Sequence, residues 1–352
     1  MKAYVLQDIG RLECKEVLKP ALKPGEVLVA VNYAGICGSD VPRIYETGTY
    51  SFPLIPGHEF SGTVVEAADS ENEGWLHKNV GIFPLIPCKE CFTCRRQEYE
   101  MCRKYSYLGS RCDGGFAEYA AVPVWNLLEL PGQMELREAA MLEPAAVSLH
   151  AVRKLSLTEN CTVAVFGLGT IGGIITQWLA YYGVKNVLAT GHSKEAGDVM
   201  RQAADAGYQY RLAQETDASE WVMEETKGQG ADIVIDCVGN SKSVSDALKS
   251  VRPGGQILEM ANPAGDICLA KDIYWQVLRK QVSLKGTWNS SFLHRKDDDW
   301  NTVVQACCEG RLNLSSLITH ELPFEELPRG LQIMKEKREY RNKVMIKING
   351  SC

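Results

Sequence analysis

The sequence predicts an α/β protein in which a doubly wound parallel sheet is inserted into a β-barrel-like domain. Three observations carry that expectation. Residues 1–149 are dense in Gly, Pro and β-branched residues, with short apolar runs such as Glu26–Asn32 and Gly62–Glu66 that read as strands. From Cys161 onward, apolar strands alternate with helical patterns, the rhythm of a parallel sheet wound on both faces. A last strand pattern, Lys343–Ile348, then resumes the character of the first part. The expected division is a β domain over 1–149, a dinucleotide-binding domain over 150–287, and a return to the first domain over 288–352.

In the middle segment the strand candidates are Thr162–Phe166, Asn186–Thr190, Ala231–Asp236, Gln256–Met260 and Gln281–Gly286. Helices are expected from about Ile171 and over Ala196–Ala206. Gly167, Gly169 and Gly172 follow the first of these strands and open the first helix, the context that gives a G-x-G-x-x-G run its meaning. The first glycine permits a tight turn, the second lets a pyrophosphate approach, and the third allows close helix packing. An acidic residue at the end of the second strand would bind the ribose hydroxyls of NAD, but Gly191 stands there, followed by His192, Ser193 and Lys194. Without the carboxylate a 2′-phosphate meets no repulsion and finds donors, so NADP is favoured over NAD. NAD with a weakened ribose contact is the alternative.

Cys88, Cys91, Cys94 and Cys102 follow the pattern C-x2-C-x2-C-x7-C. That spacing wraps four thiolates around one tetrahedral zinc in a closed, structural site, with disulfides or buried thiols as the alternative. Cys37, His58, Glu59 and Glu143 form a looser mixture of soft and hard donors, suited to an open, reactive zinc site. If both glutamates bound, the centre would be anionic and a poor Lewis acid, so one is expected to be displaceable. Asp40 is placed to orient the His58 imidazole. The other histidines, His77, His150, His294 and His320, have no such setting, and the charged stretch His294–Asp299 reads as a solvated loop.

The bulk composition limits the function classes. A chain of 352 residues exceeds one ordinary core, and 45% hydrophobic with 23% charged residues indicates a globular protein. A net charge of −6 disfavours nucleic acid, and no apolar run is long enough for a membrane, leaving a small molecule as the expected partner. Thirteen cysteines and an N-terminus without the regions of a secretory leader point to a reducing cytoplasm.

Together these residues resemble the zinc-containing medium-chain dehydrogenase/reductase family along essentially the whole chain. Cys37-Gly-Ser-Asp40, Gly57-His-Glu59, the cysteine lobe, Asp113–Tyr119, Glu143-Pro144 and Gly167–Gly172 occur in the family's order. Glu after the histidine, and Glu-Pro later, match its polyol branch. The resemblance implies a GroES-like, partly open β barrel, a Rossmann domain, and homodimers or homotetramers. It also implies oxidation of a secondary alcohol of a polyol or polyol phosphate to a ketone, with one catalytic and one structural zinc. Ser39 is the candidate to take the hydroxyl proton. Arg43, with help from Arg111, would clamp a substrate phosphate, or either would be a salt-bridge residue. Trp288 and Asn289 would line the pocket, with core packing the alternative for Trp288. Where many relatives place a histidine after the Ser-Asp pair, this chain has Pro42 and Arg43. Unphosphorylated polyols of the sorbitol type, an amino alcohol of the threonine type, and a non-catalytic cofactor-binding scaffold are the other readings.

Overall fold

The computed structural model describes residues 1–203 and 207–349. The chain divides into two compact units. The first contains Met1–Ala146, Ser291–Gly310 and 314–349, and the second Val147–Ser290 and Arg311–Asn313. The expected boundaries at 149/150 and 287/288 lie three residues from these. Residues 204–206, the end of the expected helix Ala196–Ala206, and 350–352, the end of the third expected segment, lie outside the described residues.

The first unit opens with β1 (Lys2–Asp8), β2 (Arg11–Glu16), β3 (Glu26–Ile36), β4 (Glu59–Ala67) and β5 (Asn79–Ile82). It continues through β6 (Leu85–Ile86), β7 (Ser106–Tyr107), β8 (Tyr119–Pro123) and β9 (Leu127–Glu129). The second unit contributes β10 (Thr162–Phe166), β11 (Asn186–Gly191), β12 (Tyr208–Leu212), β13 (Ala231–Asp236), β14 (Val251–Glu259) and β15 (Ser283–Gly286). The chain then adds β16 (Ile318–Pro323) and β17 (Lys343–Lys347) to the first unit.

In the first unit the main sheet runs β16-β17-β3-β4-β5-β9, with β8 on β3. Its long strands β3 and β4 alternate in burial only weakly, because both faces are covered in places. Val27, Val29, Val31, Val64, Phe116, Val344 and Ile346 form one apolar core there. This sheet positions the donors: its register sets Gly35 of β3 opposite Glu59 of β4 and Val344 of β17 opposite Ile36.

In the second unit the parallel order is β12-β11-β10-β13-β14-β15. The order reverses direction between β10 and β13, which is the point where such sheets bind ligands beyond their strand ends. Continuous apolar runs such as Thr162-Val-Ala-Val-Phe166 suit strands covered on both sides. In the first unit one loop expectation holds only in part: residues 294–297 are exposed and outside helix and strand. Within His294–Asp299, Asp298 and Asp299 are buried, and Asp298 caps the helix Asp299–Cys308 by accepting from the Asn301 amide. A carboxylate satisfied by helix amides can be buried where a solvated one could not. Among the described residues no helix is long and apolar enough to cross a membrane.

Candidate metal centre and dinucleotide site

Cys37 leaves the end of β3, while His58 and Glu59 enter β4 beside it. The approach depends on glycine. A Cβ at Gly35 would lie 2.5 Å from Glu59 Oε2, so glycine leaves that carboxylate room beside β3 in its present position. Gly57 has φ +95°, and a Cβ there would press into the Phe116 ring at 2.7 Å. The donor atoms of Cys37, His58 and Glu59 consequently all lie within 4.8 Å of one another, with His58 and Glu59 buried. A thiol, an imidazole and a carboxylate gathered this tightly fit a zinc ion that keeps a position open.

The surroundings of this set are charged and buried. Asp40 Oδ1 stands 3.3 Å from His58 Nδ1, an ion-pair separation, and Asp40 Oδ2 accepts from the Cys37 amide at 3.0 Å. Burial pushes the Asp40 carboxyl up, but His58, Arg43 and the Cys37 amide outweigh it and hold it below the ordinary range. Burial pushes the His58 imidazole down, yet Asp40 and Cys37 raise it well above its ordinary value. A site that stabilises positive charge this strongly is suited to a cation.

Two residues that sequence reasoning missed complete the picture. Lys343, the first residue of β17, is buried and ion-paired with Glu59 Oε2, and it donates to the Ile36 carbonyl at 3.3 Å. Burial would lower the ammonium, but Glu59 and Cys37 hold it above its ordinary value. The signal in the sequence was a lysine opening a strand whose interior, Val344–Ile346, is apolar. Tyr107 donates to Glu143 Oε1 at 3.1 Å, and its ring centroid is 5.8 Å from that of His58. Burial and the neighbouring Glu143 hold its phenol well above the ordinary value, so it remains a donor.

Glu143, in the first turn of the helix Leu142–Val152, does not join the three-donor group and instead accepts from Tyr107. Burial, with Glu59 adding to it, pushes its carboxyl up to about 7 against the pull of His58 and Lys343. Ser39 is half-buried and donates to Cys37 Sγ at 3.3 Å. Arg43 is engaged with Asp40 Oδ1 at 3.0 Å, so the salt-bridge alternative describes its contacts. The Arg111 guanidinium lies over the rings of both Tyr50 and Tyr105. Trp288 and Asn289, expected at the return into the first domain, belong to the second unit. Trp288 is 53% exposed, which rules out core packing within that unit, and Asn289 has φ +57° with its side chain accepting from the Ser290 amide.

Cys88, Cys91, Cys94 and Cys102 also place their sulfurs within 4.8 Å of one another. The Cys88–Cys94 and Cys91–Cys102 sulfurs are 3.9 Å apart. Disulfide sulfurs would be about 2 Å apart, whereas zinc–sulfur bonds of about 2.3 Å in a tetrahedron set them about 3.8 Å apart. The spacing therefore fits the metal. The Thr93 hydroxyl and the backbone amides of Cys94 and Arg103 bring the Cys91 thiol down to about 5.

In the second unit, Gly167 turns at φ +95° after β10, and a Cβ at Gly172 would stand 2.0 Å from the Gly167 carbonyl. Space around Gly169 is open, leaving room for a pyrophosphate at the first-turn amides of the helix Thr170–Tyr181. Gly191, at the end of β11, has its own packing reason. A Cβ there would lie 2.9 Å from the Tyr210 hydroxyl and 3.2 Å from Leu168 Cβ. Ser193 Oγ accepts from the Ala196 amide, and His192 and Lys194 are exposed.

Comparison with known proteins agrees with these features. Residues 23–132 match the alcohol dehydrogenase GroES-like domain, and residues 170–309 match the zinc-binding dehydrogenase domain. Galactitol 1-phosphate 5-dehydrogenase of Escherichia coli K12 is 29% identical over 340 residues, covering 94% of this chain and 96% of its own. The crystal structure of galactitol-1-phosphate dehydrogenase from Escherichia coli superposes with a TM-score of 0.88 at 30% identity, covering 99% of this chain and all of that one. Sorbitol dehydrogenase of Halalkalibacterium halodurans is 32% identical, covering 95% and 96% of the two chains. An alcohol dehydrogenase of Escherichia coli CFT073, solved with NADH, is 26% identical with a TM-score of 0.88 and 99% coverage of each chain. The chain belongs to the zinc-containing medium-chain dehydrogenase/reductase family, in its polyol dehydrogenase branch.

Proposed function

We propose that this dehydrogenase oxidises a secondary alcohol of a polyol phosphate to a ketone, using NADP in preference to NAD. The observation that carries the reading is the buried gathering of Cys37, His58 and Glu59. These three would hold the catalytic zinc, with Glu59 rather than Glu143 as the resting carboxylate, and the cysteine lobe would hold a structural one. In that reading zinc supplies Lewis-acid polarisation of the substrate hydroxyl, and the dinucleotide supplies the hydride acceptor. Ser39 accepts the hydroxyl proton, since its oxygen can both accept and donate and it sits beside Cys37. Asp40 fixes the imidazole of His58, and Tyr107 keeps Glu143 in place near the donor set. At the dinucleotide, the amides after Gly169 receive the pyrophosphate, while His192, Ser193 and Lys194 receive a ribose 2′-phosphate.

An unphosphorylated polyol is the second reading, favoured by the engagement of Arg43 with Asp40. A panel of polyols and their phosphates with NAD and NADP tests both. The expected result is higher kcat/KM with the phosphate esters and with NADP. Lys194→Ala should raise KM for NADP roughly 10-fold; an unchanged KM removes the NADP argument. Activity confined to sorbitol-like or threonine-like substrates removes the phosphate. A scaffold without activity would bind one zinc per chain rather than two.

The same reading makes the enzyme a homodimer or homotetramer. Its support is an exposed apolar group, Tyr274, Trp275 and Leu278 on the helix Lys271–Arg279 and Leu284 on the edge strand β15.

A further inference from the structure

Arg111 is held as few surface arginines are. Its guanidinium carbon lies 4.1 Å from the ring centroid of Tyr50 and 4.1 Å from that of Tyr105. Nη1 donates to the Tyr105 carbonyl at 3.2 Å, while Nε is buried with no hydrogen-bond partner among the described residues. Arg43, Arg137 and Arg252 each have a carboxylate at about 3 Å or less, and Arg111 has none among the described residues.

Its position relative to the candidate metal centre is fixed. The Tyr105 ring packs 6.2 Å from Tyr107, whose ring is 5.8 Å from His58. The turn that carries Arg111 rests on the backbone just before His58. A Cβ at Gly109 would lie 2.4 Å from the Gly57 carbonyl, and the Gly115 amide donates to that same carbonyl at 2.8 Å. Asp113 Oδ1 accepts from the Ile55 amide at 2.9 Å, pinning the far side of the turn.

A guanidinium whose central carbon lies over two rings has its N–H edge left for a ligand, and the edge is the geometry in which arginine grips an oxyanion with two parallel N–H donors. Two rings also hold the fork still before the ligand arrives, which lowers the ordering cost of binding. Arg43 is not comparable, since its donors are drawn to Asp40.

We propose that Arg111, clamped by Tyr50 and Tyr105, is the residue that recognises the phosphate monoester of the substrate, and that Arg43 serves instead to position Asp40. This rests on the polyol-phosphate reading above. The phosphate sits several carbon atoms from the reacting hydroxyl.

The test compares zinc-loaded wild type with Arg111→Met, Arg111→Lys and Arg43→Met, using a polyol phosphate and the same polyol without its phosphate. Wild type is expected to prefer the phosphate ester. In Arg111→Met the ratio of the two kcat/KM values should fall roughly 100-fold, carried by KM for the ester, with Arg111→Lys recovering part of it. Inorganic phosphate should inhibit wild type competitively and Arg111→Met far more weakly. Arg43→Met should lower kcat for both substrates and leave the ratio near that of wild type. A ratio preserved in correctly folded Arg111→Met, or a ratio lost in Arg43→Met alone, overturns the assignment while the phosphate reading stands. A wild type without preference for the ester overturns the phosphate reading itself, and this inference with it.

Discussion

The cysteine lobe and the Cys37–His58–Glu59 set each gather their donors within 4.8 Å, but the chain builds them in opposite ways. The lobe takes all four sulfurs from one short segment, Cys88–Cys102, stiffened by backbone amides and the Thr93 hydroxyl. The mixed set takes its donors from two neighbouring strands and surrounds them with buried ionisable groups, among them Asp40, Glu143 and, from the last strand, Lys343. A lobe that only has to hold its shape can be self-contained. A site that must keep a reactive position open needs its charge adjusted from outside, and that adjustment is delivered by distant parts of the fold.

Removing one donor from each site is the harshest way to break this comparison. Cys37→Ala should lower kcat by roughly 10³-fold while the lobe keeps one zinc per chain and the melting temperature shifts little. Cys94→Ala should do the reverse, losing the lobe zinc and thermal stability first. Metal content, melting curves and turnover of the two variants check this, and parallel losses in both would show that the sites are not separable.

Lys343→Met sharpens the difference. It leaves Glu59 buried without its cation, which should destabilise the zinc-free protein by about 3–5 kcal/mol. Zinc then supplies the missing positive charge, so the rise in melting temperature on adding zinc should exceed that of wild type. An equal rise would mean that Glu59 is held by Lys343 and not shared with metal.

The two sites also differ in how far they could be read from the sequence. The cysteine lobe was fully legible, because its donors lie close together and its spacing is itself the geometry. Cys37, His58 and Glu59 were legible as motifs, and the glycine run and five of the six strands of the parallel sheet followed from local pattern, while β12 was missed. Lys343 and Tyr107 were not, since each meets the site through tertiary pairing of β17 with β3 and of a short strand with a helix. Gly191 was read only as a missing carboxylate, whereas Tyr210 of β12 leaves no room for a side chain there. Periodicity reports which face of a strand is buried, and says nothing of which distant charge will be buried against it.

The smallest expected effect is a difference in the sign of pH dependence. Burial lifts the Glu143 carboxyl from 4.5 to about 7, so the folded protein retains a proton that the unfolded chain has already released. The stability this contributes is full below 4.5 and is lost as pH rises through 7. Cys91 behaves oppositely: the Thr93 hydroxyl and backbone amides lower it from 9 to about 5, so its contribution is present above 9 and is lost as pH falls through 5. Melting temperatures of the zinc-free protein between pH 5 and 8, compared with Glu143→Gln and Cys91→Ser, read out both signs. Relative to wild type, Glu143→Gln should gain stability as pH rises and Cys91→Ser should lose it. Zinc should flatten the Glu143 trend and steepen the Cys91 one, because a bound cation favours the ionised form of each group, which returns the folded Glu143 towards its unfolded value and takes the folded Cys91 further from its own. Two variants that track wild type across the whole range would show that neither site is electrostatically strained without its metal.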